Sequence, residues 1–328
     1  MDLEGYFFRN LHPRIFLGTA SDRYAGWLGQ IYSPERYQGR IQRRVKPLGE
    51  KSFVEELLPV ESLGEYFQHF GVLEVDFTFY SPLMDQKGRP TPNHRLLEMY
   101  RTHMNTEDRI ILKAPQAVTA RKLRREGSFA PNPNYLDPEL FTLGFYEPAS
   151  RLLGEAMVGI VLEQEYQPKG ERVSVDQMAE DLETFFSRVP KDGRYHLELR
   201  TAQYLAEEVF RVMETHSVGQ VLSHWSWLPP LMRQMKESGG RFLKAGREWV
   251  IRLMTPLGMR YEEAYAKAHP FDRIVEGMLQ PRMIEQTAQI MKLVTEAGGY
   301  AYVIVNNRSG GNAPQIAKMV AQRFLELF

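Results

Sequence analysis

Leu73-Glu74-Val75-Asp76-Phe77-Thr78-Phe79-Tyr80 is the stretch whose reading decides the fold. Leu73, Val75, Phe77 and Phe79 alternate with Glu74, Asp76 and Thr78, the period-two pattern of a β-strand with one apolar and one polar face. In an open sheet the polar face would meet water. In a closed barrel it points into the lumen, where two carboxylates are costly unless paired or used. The choice between the two rests on the strands to either side.

Seven more stretches read as strands: residues 14–19, 109–113, 157–163, 195–200, 219–223, 248–253 and 301–305. Residues 157–163 are almost continuously apolar, as a parallel strand covered on both faces should be. Helical spacing falls between the strands, over residues 61–69, 93–105, 138–154, 174–189, 203–216, 261–268 and 281–297, with a short helix after Pro230 and a final one near Pro314. Asn93, Ser174 and Asn312 are expected N-caps, with Gln177 completing a capping box and Pro138 opening its helix. Eight strands alternating with helices predict an α/β fold, a parallel (β/α)8 TIM-type barrel, as one domain over residues 1–328. The connection after the first strand is a long insertion, and those after the third and seventh are elongated. An open doubly wound sheet is the alternative, but no Gly-x-Gly-x-x-Gly follows the first strand, which weakens its dinucleotide-binding version.

Composition narrows the chemistry. The chain has 328 residues, 43% hydrophobic and 25% charged, enough for a sizeable soluble core. Cysteine is absent, which removes disulfides, thiolate metal sites and thiol nucleophiles and is compatible with a cytoplasmic protein. Neither a signal-peptide pattern nor an apolar run of about 18 residues is present, so no membrane association is expected. Lys+Arg and Asp+Glu both total 41, so net charge points to no partner.

In a barrel enzyme the site lies at the C-terminal ends of the strands. Those ends carry Thr19, Glu74 with Asp76 and Thr78, Lys113, Glu163, Glu198 with Arg200, Ser223 with His224, Arg252, and Asn306 with Asn307. Strand parity turns Glu74 and Asp76 one way, and likewise Glu198 and Arg200. The leading expectation is a site for an anionic small molecule containing phosphate or sugar. Glu74 and Glu198 would act as acid, base or metal ligand, and Lys113 and Arg200 would hold the anion. Thr19, Trp27, Asp76, Thr78, Tyr80, His224, Arg252, Asn306 and Asn307 would complete the substrate contacts. If a metal is used, magnesium or manganese on Glu74, Asp76, Glu163 and Glu198 fits the oxygen donors, though no His-x-x-x-His or Glu-x-x-His spacing supports it. The plain alternative is an inert salt-bridge network closing a structural or partner-binding barrel.

Two basic runs follow the first and third strands: Arg36, Arg40, Arg43, Arg44, Lys46 and Lys51, then Arg121, Lys122, Arg124 and Arg125. Beside Tyr24, Trp27, Tyr32 and Tyr37 they suit nucleic acid, the non-enzymatic alternative. A solvated basic face is the simpler reading. Trp225 and Trp227 either stack a ligand or cover the barrel mouth. The turn Asn306 to Asn312 precedes a helix N-terminus, where free N–H groups can bind an anion or be capped by the asparagines.

Together these stretches resemble the YecE-like family, bacterial and archaeal proteins of unknown function. The resemblance rests on Gly18-Thr19 with Trp27 and Tyr32-x-Pro34, Tyr66-x-x-x-Phe70 followed by Glu74 to Tyr80, Lys113-Ala114-Pro115 with Thr119, Glu198-Leu199-Arg200, Tyr302 to Asn307, and Gly311-x-Ala313-Pro314-x-x-Ala317. It implies a TIM-type barrel and no established activity. Any link to the barrels of xylose isomerases or apurinic endonucleases, hence to isomerase or hydrolase chemistry, is fold-level analogy. The chain reads as a divergent member. The family often has Asn at the position of Asp76, a Thr-His where Thr119-Ala120 stands, and Glu-x-Arg-His-x-Ser-Trp where residues 198–204 keep only Glu198 and Arg200.

Overall fold

A computed structural model describes residues 2–125, 128–243 and 246–327. Eight parallel strands close into a barrel: β1 (Ile15–Ala20), β2 (Val72–Val75), β3 (Arg109–Lys113), β4 (Met157–Gln164), β5 (Tyr195–Leu199), β6 (Gly219–His224), β7 (Glu248–Leu253) and β8 (Tyr300–Val305). Each pairs with its neighbours in sequence, and β1 closes on β8 with Ile15 opposite Ala301 and Thr19 opposite Val305. This is the (β/α)8 architecture expected from the alternation.

The side-chain period of two sorts each strand into an outer and an inner face. Leu73, Leu112, Leu162, Leu197, Leu222, Ile251 and Val303 are buried in the apolar layer under the helices. That layer receives helical stripes such as Ile284, Ala288 and Met291, and Ile316, Val320 and Phe324. Each such side chain withdrawn from water contributes about 1.5–3 kcal/mol. The inner face is built in layers. Low in the lumen Phe16 stacks on Tyr302, centroids 5.2 Å apart, with the Arg109 guanidinium 4.2 Å from the Phe16 ring. Above lie Val72, Ile111, Val161, Val221, Val250 and Ile304. Charged side chains fill the upper layer. Gly18 lets β1 and β2 approach: a Cβ there would stand 2.1 Å from the Val72 carbonyl oxygen.

Two local expectations are corrected, and the basic runs gain a structure the sequence did not show. The strand expected over residues 73–80 ends at Val75, and Phe77–Tyr80 form one helical turn. Tertiary hydrogen bonds override the β pattern there: Thr78 Oγ1 donates to the Lys113 carbonyl at 2.7 Å, and Asn93 Nδ2 donates to the Phe77 and Ser81 carbonyls at 2.8 and 3.0 Å. Asn93 is therefore no N-cap. Thr91 holds that position before helix Pro92–Thr102. The basic runs form antiparallel ribbons, Gln42–Leu48 with Lys51–Leu57 and Lys122–Arg125 with Ser128–Pro131. Ser174 and Asn312 do cap their helices, accepting from Gln177 N and Gln315 N. Among the described residues no helix is long and apolar enough to cross a membrane.

Candidate functional site

The upper lumen is an ion-pair lattice assembled from five strands. Arg252 on β7 grips Glu74 on β2 through two hydrogen bonds, Nε to Oε2 and Nη2 to Oε1, both 2.7 Å. Its Nη1 donates to Glu198 on β5 and lies 3.6 Å from Glu163 on β4. Glu163 in turn meets Lys113 Nζ at 2.7 Å and Arg200 Nη1 at 2.9 Å. Arg200 Nε stands 3.4 Å from Glu198. Three carboxylates thus face three cations, and none of the three carboxylates is more than 6% exposed. Burial opposes ionisation of Glu163, but Arg200, Lys113 and Arg252 outweigh it and hold the carboxyl well below its usual range. Burial likewise works against the Arg252 charge, and Glu198 and Glu74 outweigh it, raising its pKa. Lys113 also lies 3.8 Å from the Phe79 ring, and Arg200 is 5.0 Å from Trp225.

Glu74, Glu163 and Glu198 are each spent on a cation, so together they offer a divalent metal no uncompensated oxygen cluster. Among the described residues no group of three or more His, Asp or Glu side chains is arranged to hold one. The metal expectation on Glu74, Asp76, Glu163 and Glu198 finds no support in this geometry.

Above the lattice a cavity of about 290 Å³ opens at the barrel mouth. The ribbon 42–57 forms one wall. There Glu55 accepts from Arg44 Nε at 2.7 Å and from the Tyr265 hydroxyl at 2.6 Å, and meets Lys46 Nζ at 3.2 Å. Burial opposes ionisation of Glu55, but Tyr265, Lys46 and Arg44 prevail and lower its pKa. The lining also includes Asp76, Tyr80, Asn306, Asn307 and Arg308, with the Arg308 guanidinium 4.4 Å from the Tyr261 ring. Asp76 and Arg308 make no ion pair among the described residues.

Of the residues singled out in the sequence, Glu74, Asp76, Tyr80, Lys113, Arg200, Arg252, Asn306 and Asn307 line this cavity, as does Glu163. Glu198 is fully buried in the lattice beneath it. Thr19, Trp27, Thr78 and His224 stand elsewhere. Gly18 and Ala20 occupy the inner positions of β1, so Thr19 turns outward, where its Oγ1 lies 3.0 Å from the Tyr66 hydroxyl. Trp27 is buried and donates from Nε1 to Asn307 Oδ1 at 3.1 Å. Thr78 fixes the Lys113 carbonyl instead of facing a ligand. Val221 faces the lumen, so His224 points to the outer side, with Nδ1 3.0 Å from the Thr255 carbonyl and its pKa pushed down to about 4 by burial.

In the glycine-rich turn the amides of Ser309, Gly310 and Gly311 donate to the Asn306 and Asn307 carbonyls. Asn306 Oδ1 accepts from Arg308 N, Asn307 Oδ1 from Ala313 N and Asn312 Oδ1 from Gln315 N. Asn307 and Asn312 therefore cap the helix, the second of the two uses expected of this turn, and Asn306 caps the short turn before it. Sequence reasoning missed Arg308 and Glu55. Arg308 immediately follows the Asn306-Asn307 pair, and Glu55 faces Arg44 across a ribbon that the sequence left without strands. The basic runs are largely answered by acids: Arg40 by Glu61, Arg43 by Glu56, Arg44 and Lys46 by Glu55, Arg121 by Asp181 and Lys122 by Glu171. The side chain of Arg125 lies outside the described residues.

Residues 16–327 match the family model described as "Protein of unknown function DUF72". Similar solved structures include a DUF72 family protein of Enterococcus faecalis V583, 13% identical over 95% of each chain with a TM-score of 0.56. A DUF72 family protein of Thermotoga maritima MSB8 is 16% identical over 95% of this chain and 99% of that one, also with a TM-score of 0.56. At such identities the likeness speaks to the fold. No curated protein matches the sequence.

Proposed function

The chain belongs to the DUF72 family of proteins of unknown function, and from that premise we propose that its barrel mouth binds and processes an anionic small molecule containing phosphate or sugar. The finer YecE-like assignment rests on the sequence motifs alone. One observation carries the functional reading. Six basic and four acidic side chains line the cavity, and one of the basic ones, Arg308, has no carboxylate partner among the described residues. Arg44 and Lys46 share the single carboxylate of Glu55, which adds to the local positive charge. Aromatic rings, among them Tyr24, Tyr80 and Trp225, supply flat walls for a sugar face. The volume sits at the low end for small-molecule sites.

Arg308 is the primary anion contact in this reading, with Lys113 and Arg200 at the floor. Glu74 and Glu198 are bound to Arg252 and serve as positioning residues. Asp76, half-buried at the mouth, makes no ion pair among the described residues. Thermal unfolding with glucose 6-phosphate, ribose 5-phosphate, inorganic phosphate and neutral sugars tests the proposal. A saturating rise in melting temperature with a phosphorylated sugar, lost in Arg308→Ala, is expected. At ligand 100-fold above Kd the rise corresponds to about 2.7 kcal/mol. Shifts absent throughout, or unchanged in Arg308→Ala, contradict it. Salt-sensitive binding of labelled DNA or RNA instead would favour the basic ribbons as the functional surface.

A further inference from the structure

Ten charged side chains line the mouth cavity. Eight have an oppositely charged neighbour within 3.2 Å: Arg44 and Lys46 with Glu55, Lys113 and Arg200 with Glu163, and Arg252 with Glu74. The two left over among the described residues are Asp76 and Arg308. They have opposite signs and do not come within ion-pair distance of each other. Asp76 follows β2 and Arg308 follows β8, and β1 lies between those strands in the barrel. Two inter-strand spacings separate their stems, about 10 Å around the rim. The hydroxyls of Tyr24 and Tyr80 fall within electrostatic reach of both charges, so the pair shares one compartment.

Such a compartment disfavours a simple anion, because Asp76 repels it, and a neutral sugar, because it leaves both charges without partners. We propose that the cavity takes a dipolar ligand, a phosphorylated amino sugar, with its phosphate on Arg308 and its ammonium on Asp76. This rests on the reading of the mouth as a small-anion site and names the ligand class within it. The guanidinium suits a phosphate through paired N–H donors. Its Nε has no hydrogen-bond partner among the described residues. The Asp76 carboxylate accepts hydrogen bonds only, which an ammonium satisfies better than a hydroxyl does. Tyr24 and Tyr80 line the same cavity as the two charges.

Titration calorimetry with glucosamine 6-phosphate, glucose 6-phosphate and glucosamine reads the inference directly. The full-length protein should bind glucosamine 6-phosphate about tenfold more tightly than glucose 6-phosphate, and glucosamine weakest. Asp76→Asn should erase the preference while keeping glucose 6-phosphate binding equal or tighter, and Asp76→Ser gives the same readout if the first variant misfolds. Arg308→Ala should weaken both phosphates by at least about tenfold. Equal affinities in the wild type, or a preference that survives in both Asp76 variants, overturn the dipolar assignment and leave the anion site standing. No binding of either phosphate overturns both.

Discussion

Arg252 holds Glu74 through two 2.7 Å hydrogen bonds and reaches Glu198 and Glu163 with its remaining amino group. Its worth lies less in attraction than in what its loss would leave: Glu74, fully buried, without a counter-charge, while Glu198 and Glu163 would keep Arg200 and Lys113. Arg252→Ala should therefore destabilise the protein by about 3–5 kcal/mol, measured by urea unfolding. A loss below about 1 kcal/mol would mean that water already screens the lattice. Asp76, without an ion pair among the described residues, should behave differently: Asp76→Asn should change stability by no more than about 0.5 kcal/mol. Asp22 presents a third situation. Burial, ahead of the opposing effect of Arg23, pushes its carboxyl up to about 6, and it accepts from the Tyr100 hydroxyl at 2.8 Å. The folded state then holds this proton more firmly than the unfolded state does. The associated stability is present below about pH 4 and is lost as pH rises through about 6. Asp22→Asn should match the wild type near pH 4 and exceed it by up to about 3 kcal/mol above pH 6.5. A stability difference independent of pH would show that Asp22 titrates normally.

Among the elements, the ribbon 42–57 is tied to the mouth through Glu55, which joins Arg44, Lys46 and the Tyr265 hydroxyl. Glu55→Gln weakens three of those contacts at once. Amide hydrogen exchange over residues 42–57 should quicken by about tenfold or more while the barrel strands keep their protection. Uniform exchange across ribbon and strands would show that the two open together. This ribbon was not legible in the sequence because its alternating residues are mostly charged: an exposed two-stranded ribbon carries no apolar stripe to betray it. The reverse error occurred at Phe77–Tyr80. Those residues look like strand, yet Thr78 and Asn93 bond the backbone into a turn. Local pattern was a good guide where one face is buried and a poor one where long-range hydrogen bonds decide the backbone.

For the molecule as a whole, eight β/α repeats were legible because each barrel strand must be apolar toward the helices. The lattice was legible too, through the parity of Glu74, Lys113, Glu163, Glu198 and Arg252. Parity also removes Thr19 and His224 from the mouth, a consequence hidden until the inner positions of β1 and β6 were fixed by Ala20 and Val221. What no pattern could supply was the pairing of charges. Some of the acids that answer the basic ribbons, such as Asp181 for Arg121 and Glu171 for Lys122, lie far away in sequence, and so the isolation of Asp76 and Arg308 stayed hidden. The central claim is that this residual pair makes the barrel mouth a binding site for a phosphorylated small molecule. A crystal structure with glucosamine 6-phosphate tests it most directly. The account predicts the phosphate within hydrogen-bond distance of Arg308, with the Arg252 lattice undisturbed beneath. Ligand bound only outside the mouth, or no ligand at saturating concentration, would contradict it.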